Sequence, residues 1–85
     1  MKFRALRTFQ DDYRTLPAEI QRRFDKAIRL LAANPRHPSL RVKKMKGTAG
    51  IWEASVTMSY RFTFNWEADV ITLRRLGTHS VLAKE

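Results

Sequence analysis

The chain has no cysteine among its 85 residues. That excludes a disulfide framework and thiolate metal sites, and it suits a reducing compartment. Glycine and proline are scarce, at three each. With an ordinary apolar fraction of 44 %, this is the composition of a folded chain rather than a disordered one. No apolar run is long enough to cross a bilayer, and no charged-then-apolar leader opens the sequence. A cytoplasmic protein with no membrane partner is therefore expected, as one domain spanning residues 1–85.

Acids are the other shortage. Eight Asp and Glu stand against 17 Lys and Arg, a formal net charge of +9. Between Asp25 and Glu53 there is no carboxylate, while Lys26, Arg29, Arg36, Arg41, Lys43, Lys44 and Lys46 all fall there. Such a zone concentrates polyanions and makes binding salt-dependent. Two kinds of partner fit it: a nucleic acid, or an acidic protein that neutralises the patch.

The most informative stretch is Trp52 to Trp66, which reads as a β-hairpin. Side chains alternate along a strand with period two. A two-residue loop at Met58-Ser59 would set Arg61 among apolar residues. A three-residue loop at Thr57-Met58-Ser59 pairs Val56 with Tyr60, Ala54 with Phe62 and Trp52 with Phe64. Burial selects the second register, because a one-residue slip turns every side chain to the opposite face. Glu53, Ser55, Arg61 and Thr63 then share the polar face, with Ser55 across from Arg61 and Glu53 on the diagonal. Either this is a cross-strand ion pair worth at most ~1 kcal/mol, or it is the start of a site.

Along the rest of the chain, Lys2 to Leu6 alternates and suits an edge strand. Thr8 is placed to cap a first helix carrying Phe9, Tyr13 and Leu16, with Asp11 and Asp12 near its positive end. Thr15 to Glu19 opens a second helix, in which Ile20, Phe24, Ile28 and Leu31 recur at helical spacing until Asn34-Pro35 stops it. Leu40 to Lys46 reads as a strand with Leu40 and Val42 inward and a bulge near Lys44. Gly47 to Gly50 is a turn, and its Gly-x-x-Gly is too weak to be a phosphate loop. Val70 to Leu76 is the last strand, in which Arg74 and Arg75 point to opposite faces. Gly77-Thr78-His79-Ser80 closes the domain, with Val81-Leu82 as a short apolar tail. The order β-α-α-β-β-β-β predicts an α+β fold, a helical pair covering one face of a mostly antiparallel sheet.

LPAEIQRRFDKAIRLLAANP, HPSLRVKKMKG, IWEASVTMSYRFTF and the terminal LGTHSVL, in that order and at this length and charge, resemble the RelE/ParE toxin superfamily over nearly the whole chain. The resemblance implies the toxin of a type II toxin–antitoxin pair with an acidic or amphipathic cognate antitoxin as partner. The RelE-like branch implies a metal-independent endoribonuclease, an mRNA interferase acting on mRNA at the ribosome, with no cofactor. The ParE-like branch implies an inhibitor of DNA gyrase, and a catalytically silent antitoxin- or nucleic-acid-binding module is a third reading.

RNA cleavage without a metal needs removal of the 2′-hydroxyl proton, charge stabilisation at phosphorus and protonation of the leaving 5′-oxygen. The resemblance assigns phosphate contact to Arg61 in SYRFTF and the acid role to His79 in LGTHSVL. Histidine suits that role because its ordinary pKa of ~6.5 supplies both protonation states near neutrality. Glu53 is a candidate base on the same face, and Lys46 is the alternative. Arg41, Lys43, Lys44, Arg74 and Arg75 are candidate substrate-binding residues. Several RelE-like nucleases carry a tyrosine shortly after the terminal basic residue, where this chain has Val81 and Leu82. His37, in a loop before proline, is read as solvated or capping. Two distant histidines without cysteine make no zinc site. Tyr60, Phe62 and Phe64 are core by pattern, and Trp66 at the strand end is the aromatic placed to be exposed.

Overall fold

Burial does choose the hairpin register. In the computed structural model, which describes residues 1–83, Trp52 pairs with Phe64, Ala54 with Phe62 and Ser55 with Arg61. Two N–H groups, of Val56 and Thr57, donate to the Tyr60 carbonyl and close the loop. Thr57 Oγ1 accepts from the Ser59 and Tyr60 amides, which fixes the turn. Ala54, Phe62 and Phe64 are fully buried. Each phenylalanine contributes roughly 1.5–3 kcal/mol of burial.

Among the described residues, three further strands and three α-helices surround this hairpin. In chain order the elements are β1 (Lys2–Ala5), α1 (Arg7–Thr15), α2 (Ala18–Ala33), β2 (Lys43–Lys44), β3 (Ile51–Ser55), β4 (Arg61–Glu67), β5 (Val70–Gly77) and α3 (His79–Leu82). A 3-10 turn, Pro38–Leu40, precedes β2. The sheet order is β1-β5-β4-β3-β2. Only the β1–β5 pair is parallel among the described strands. The fold is α+β with a mostly antiparallel sheet, as expected.

Helix α2 buries Phe24, Ala27 and Leu31. Phe24 packs edge-on against Phe62 at 5.2 Å between ring centres and also meets Phe9 (5.3 Å) and Tyr13 (5.9 Å). One ring thus ties α1 and α2 to β4, and Phe24→Ala would cost about 3–5 kcal/mol.

Several local expectations change. Leu6, not Thr8, caps α1, because Leu6 N–H still bonds the Leu73 carbonyl and the helix begins directly after β1. Thr8 lies inside the first turn, where its hydroxyl donates to the Arg74 carbonyl. Asp11 and Asp12 fall beyond that turn: Asp11 bridges Arg7 and Arg14, and Asp12 binds Arg75. Within the Thr15 to Glu19 segment, Pro17 is the residue that caps α2.

The strand expected over Leu40 to Lys46 shrinks to Lys43–Lys44. His37 Nδ1 accepts from the Ser39 amide and holds the chain in a 3-10 turn, so His37 is a capping residue. Leu40 plugs the core from that turn, and Arg41 leaves it in the left-handed region at φ 49°. The bulge lies elsewhere: Thr63 pairs with Arg75 but Phe64 with Leu73, which leaves Arg74 as the extra residue of β5. The apolar tail is one helical turn. Its Leu82 is buried outside the main core cluster.

Candidate active site

Alternation sends Lys43, Glu53, Ser55 and Arg61 to the face opposite Phe62 and Phe64. Lys43 stands across from Glu53, and Ser55 across from Arg61. The Arg61 guanidinium donates to Ser55 Oγ at 3.2 Å and lies 3.5 Å from Glu53 Oε1. Lys43 Nζ approaches the same oxygen at 3.7 Å. Glu53 is only 12 % exposed and Lys43 66 %. The lysine contact is therefore a solvated one of little energetic weight, while Glu53 and Ser55 together orient Arg61.

A fifth component arrives through the backbone. Gly77 pairs directly with Arg61 across the β4–β5 ladder. A Cβ at Gly77 would lie 2.8 Å from Val81 Cγ2, so a bare α-carbon is what permits α3 to fold back over the sheet. Thr78 begins that turn, and His79 is its first residue. A depression of about 280 Å³ results, lined by Lys43, Met45, Glu53, Arg61, His79 and Leu82, with Ala83 at its end. Arg61 and His79 therefore share one hollow on the face that α1 and α2 leave open.

The remaining candidates are placed elsewhere. Lys44 faces the other side of β2, its ammonium 5.7 Å from the Trp52 ring centre. Lys46 lies past β2 and is exposed, outside the residues lining the hollow. Arg41 borders a different depression, beside Trp52 and Trp66. Arg74 donates to Asn65 Oδ1 at 3.0 Å, further along β4. Arg75 is drawn to α1, where its Nε and Nη2 meet both oxygens of Asp12 at 2.9 and 3.2 Å. The bulge shifts the β4–β5 register at Arg74, so consecutive arginines of β5 reach separate partners. Of the lysines, Lys43 joins the hollow; its register opposite Glu53 would have identified it, but the sequence leaves the start of β2 open. Met45 and Leu82 were absent from the sequence reading as site residues. Tyr60, Phe62 and Phe64 do not line the hollow, and Trp66 is half-buried against Trp52.

No protein-family model matches the sequence, and no curated protein matches it. Solved structures do. A YoeB/ParE toxin from Agrobacterium tumefaciens superposes with a TM-score of 0.78 at 21 % identity, covering 93 % of this chain and 99 % of that one. The RelB–RelE antitoxin–toxin complex from Methanococcus jannaschii gives 0.77 at 22 % identity, over 95 % of each chain. The E. coli DinJ–YafQ toxin–antitoxin complex gives 0.80 at 14 % identity, over 93 % of this chain and 92 % of that chain. Likeness over nearly the full length of each partner, at identities this low, is likeness of architecture: the chain has the fold of the RelE/ParE toxin superfamily.

Proposed function

We propose that the chain is the toxin of a toxin–antitoxin pair and acts as a metal-independent endoribonuclease on messenger RNA at the ribosome. The observation that carries this reading is the convergence of Arg61, Glu53, Lys43 and His79 in one hollow. In the proposed step, Glu53 accepts the 2′-hydroxyl proton as that oxygen attacks the adjacent phosphorus. Arg61, held by Ser55 and Glu53, neutralises charge developing on the phosphoryl oxygens. His79 donates a proton to the departing 5′-oxygen. Lys43, far more exposed than Glu53 or Arg61, draws the backbone in by charge. The products are a 2′,3′-cyclic phosphate and a free 5′-hydroxyl, with every proton accounted for.

Structural neighbours solved with RelB and DinJ support an antitoxin as the second partner. The test is primer extension on cellular transcripts after brief induction, with Arg61→Ala and His79→Ala alongside. Codon-phased cuts that vanish in both variants are expected. Supercoiling defects without transcript cleavage would replace this reading by gyrase inhibition, and full cleavage by both variants would remove the site.

A further inference from the structure

Between the 3-10 turn and the Trp52–Trp66 end of the hairpin lies a depression of about 330 Å³ that shares no lining residue with the Arg61 hollow. Val42 and Trp52 line it, while their chain neighbours Lys43 and Glu53 line the hollow. Alternation therefore sets the two cavities on opposite faces of the sheet. Its size falls at the lower end of the range for small-molecule sites.

Two chemistries meet in that lining. Arg36, His37 and Arg41 come from one short segment, and among the described residues no carboxylate lines the depression. Like charges held together by a fold repel one another, and an anion seated among them removes that cost. His37 Nδ1 is committed to the Ser39 amide, so Nε2–H is the donor left to the ring. Beside these donors stand Trp52 and Trp66, whose rings meet edge to face at 5.5 Å and 64°. They form one apolar wall, and Pro35 and Pro38 extend the apolar lining.

Arg41 separates a built site from an accidental hollow. Its backbone is left-handed, with φ 49° and ψ 45°. Glycine adopts that conformation without steric cost, whereas a residue with a β-carbon does not. Such outliers cluster at ligand clamps. What the strained position gains here is a guanidinium at the same depression as the two indoles. We infer that this depression binds a small planar aromatic anion. The ligand's ring lies against the Trp52–Trp66 wall, and its carboxylate or phosphate sits between Arg36 and Arg41. Lys44, 5.7 Å from the Trp52 ring centre, is not among the lining residues and leaves the depression open. The inference requires neither transcript cleavage nor a protein partner.

Trp52 and Trp66 are the chain's two tryptophans, so their indole N–H resonances in a proton–nitrogen correlation spectrum report on the depression directly. The purified chain is titrated with adenosine 5′-monophosphate and with naphthoate, which present a phosphate and a carboxylate on a flat ring. Adenosine, inorganic phosphate and a short oligodeoxyadenylate, which has no 2′-hydroxyl to be attacked, are the comparisons. An anionic probe should move an indole resonance saturably and bind about tenfold more tightly than adenosine or phosphate. The tighter of the two probes identifies the anionic group. Arg41→Gly, which suits the left-handed backbone there, should weaken that probe about tenfold and leave the thermal midpoint close to the parent's. Arg36→Gln, an exposed substitution, should weaken it likewise. No saturable shift with either probe, equal binding by adenosine or phosphate, or parental affinity in either variant would each overturn the inference. Oligodeoxyadenylate binding about tenfold more tightly than the monophosphate would also overturn it, by making the depression part of a nucleic-acid track.

Discussion

Arg61 and Gly77 face each other across the β4–β5 ladder, and the hydrogen atom at Gly77 gives α3 its seat above the guanidinium. A methyl group there would meet Val81 Cβ at 2.9 Å and Cγ2 at 2.8 Å. Val81 belongs to a helical turn and cannot swing aside alone. Gly77→Ala should therefore displace α3, destabilise the chain by about 1–3 kcal/mol, and take His79 out of the hollow. Urea denaturation gives the first quantity. Faster amide exchange at Leu82 and Ala83 with an unchanged β4 gives the second. An exchange pattern identical to the parent would refute the packing argument.

Asp12 satisfies three donors at once, two from the Arg75 guanidinium and the Leu76 amide. It anchors α1 to the part of β5 that β1 does not reach. Hydrogen bonds to a charged acceptor are worth about 1.5–3 kcal/mol. Asp12→Ala should lower stability by about 2–3 kcal/mol, and Asp12→Asn by clearly less, because its amide oxygen still serves Leu76. Equal losses in the two variants would show that helix packing, not the polar contacts, holds α1 in place.

Tyr13 donates to Asp25 at 3.0 Å, linking α1 to α2. Burial raises its pKa above the ordinary phenol value of 10.0, and the hydrogen bond and negative charge of Asp25 raise it further. A folded-state pKa raised in this way gives stability that is fully present below pH 10.0 and lost as pH climbs through the folded value. Tyr13→Phe should cost about 1 kcal/mol at neutral pH and remove that alkaline loss. Unfolding midpoints from pH 8 to 11, bracketing the ordinary phenol pKa of ~10, provide the check.

Glu53→Gln separates chemistry from architecture. The change keeps the shape but removes the charge facing Arg61 and Lys43. Stability should move by no more than about 1 kcal/mol, whereas transcript cleavage should fall by about 10²-fold or more. Lys43→Ala should lower cleavage more than Lys46→Ala, because only the former lines the hollow. The reverse order would return the role to Lys46.

What the sequence made legible follows from which forces act locally. The register of β3 and β4 could be derived, since one slip would have set Arg61 among the apolar residues of β3 and turned Phe62 and Phe64 to the other face. Helix α2 announced itself through Ile20, Phe24, Ile28 and Leu31. Segments fixed by distant partners did not. The 3-10 turn at Pro38–Leu40 depends on a His37 side chain bonding Ser39, which no periodicity records. Alternation showed that Arg74 and Arg75 diverge, but not the bulge opposite Thr63 nor the partners they reach, Asn65 and Asp12. Within the site, Glu53 and Arg61 could be read from alternation and His79 from the family likeness. Lys43 needed the true start of β2.

The β1–β5 pairing has a consequence for assembly. Lys2 to Ala5 find their hydrogen-bonding partners in Val70 to Leu73, so β1 must wait for β5, the last of the described strands, before the sheet has both its borders. Contacts so remote along a chain slow folding. During synthesis, β1 stays an unpaired ribbon until β5 has been made.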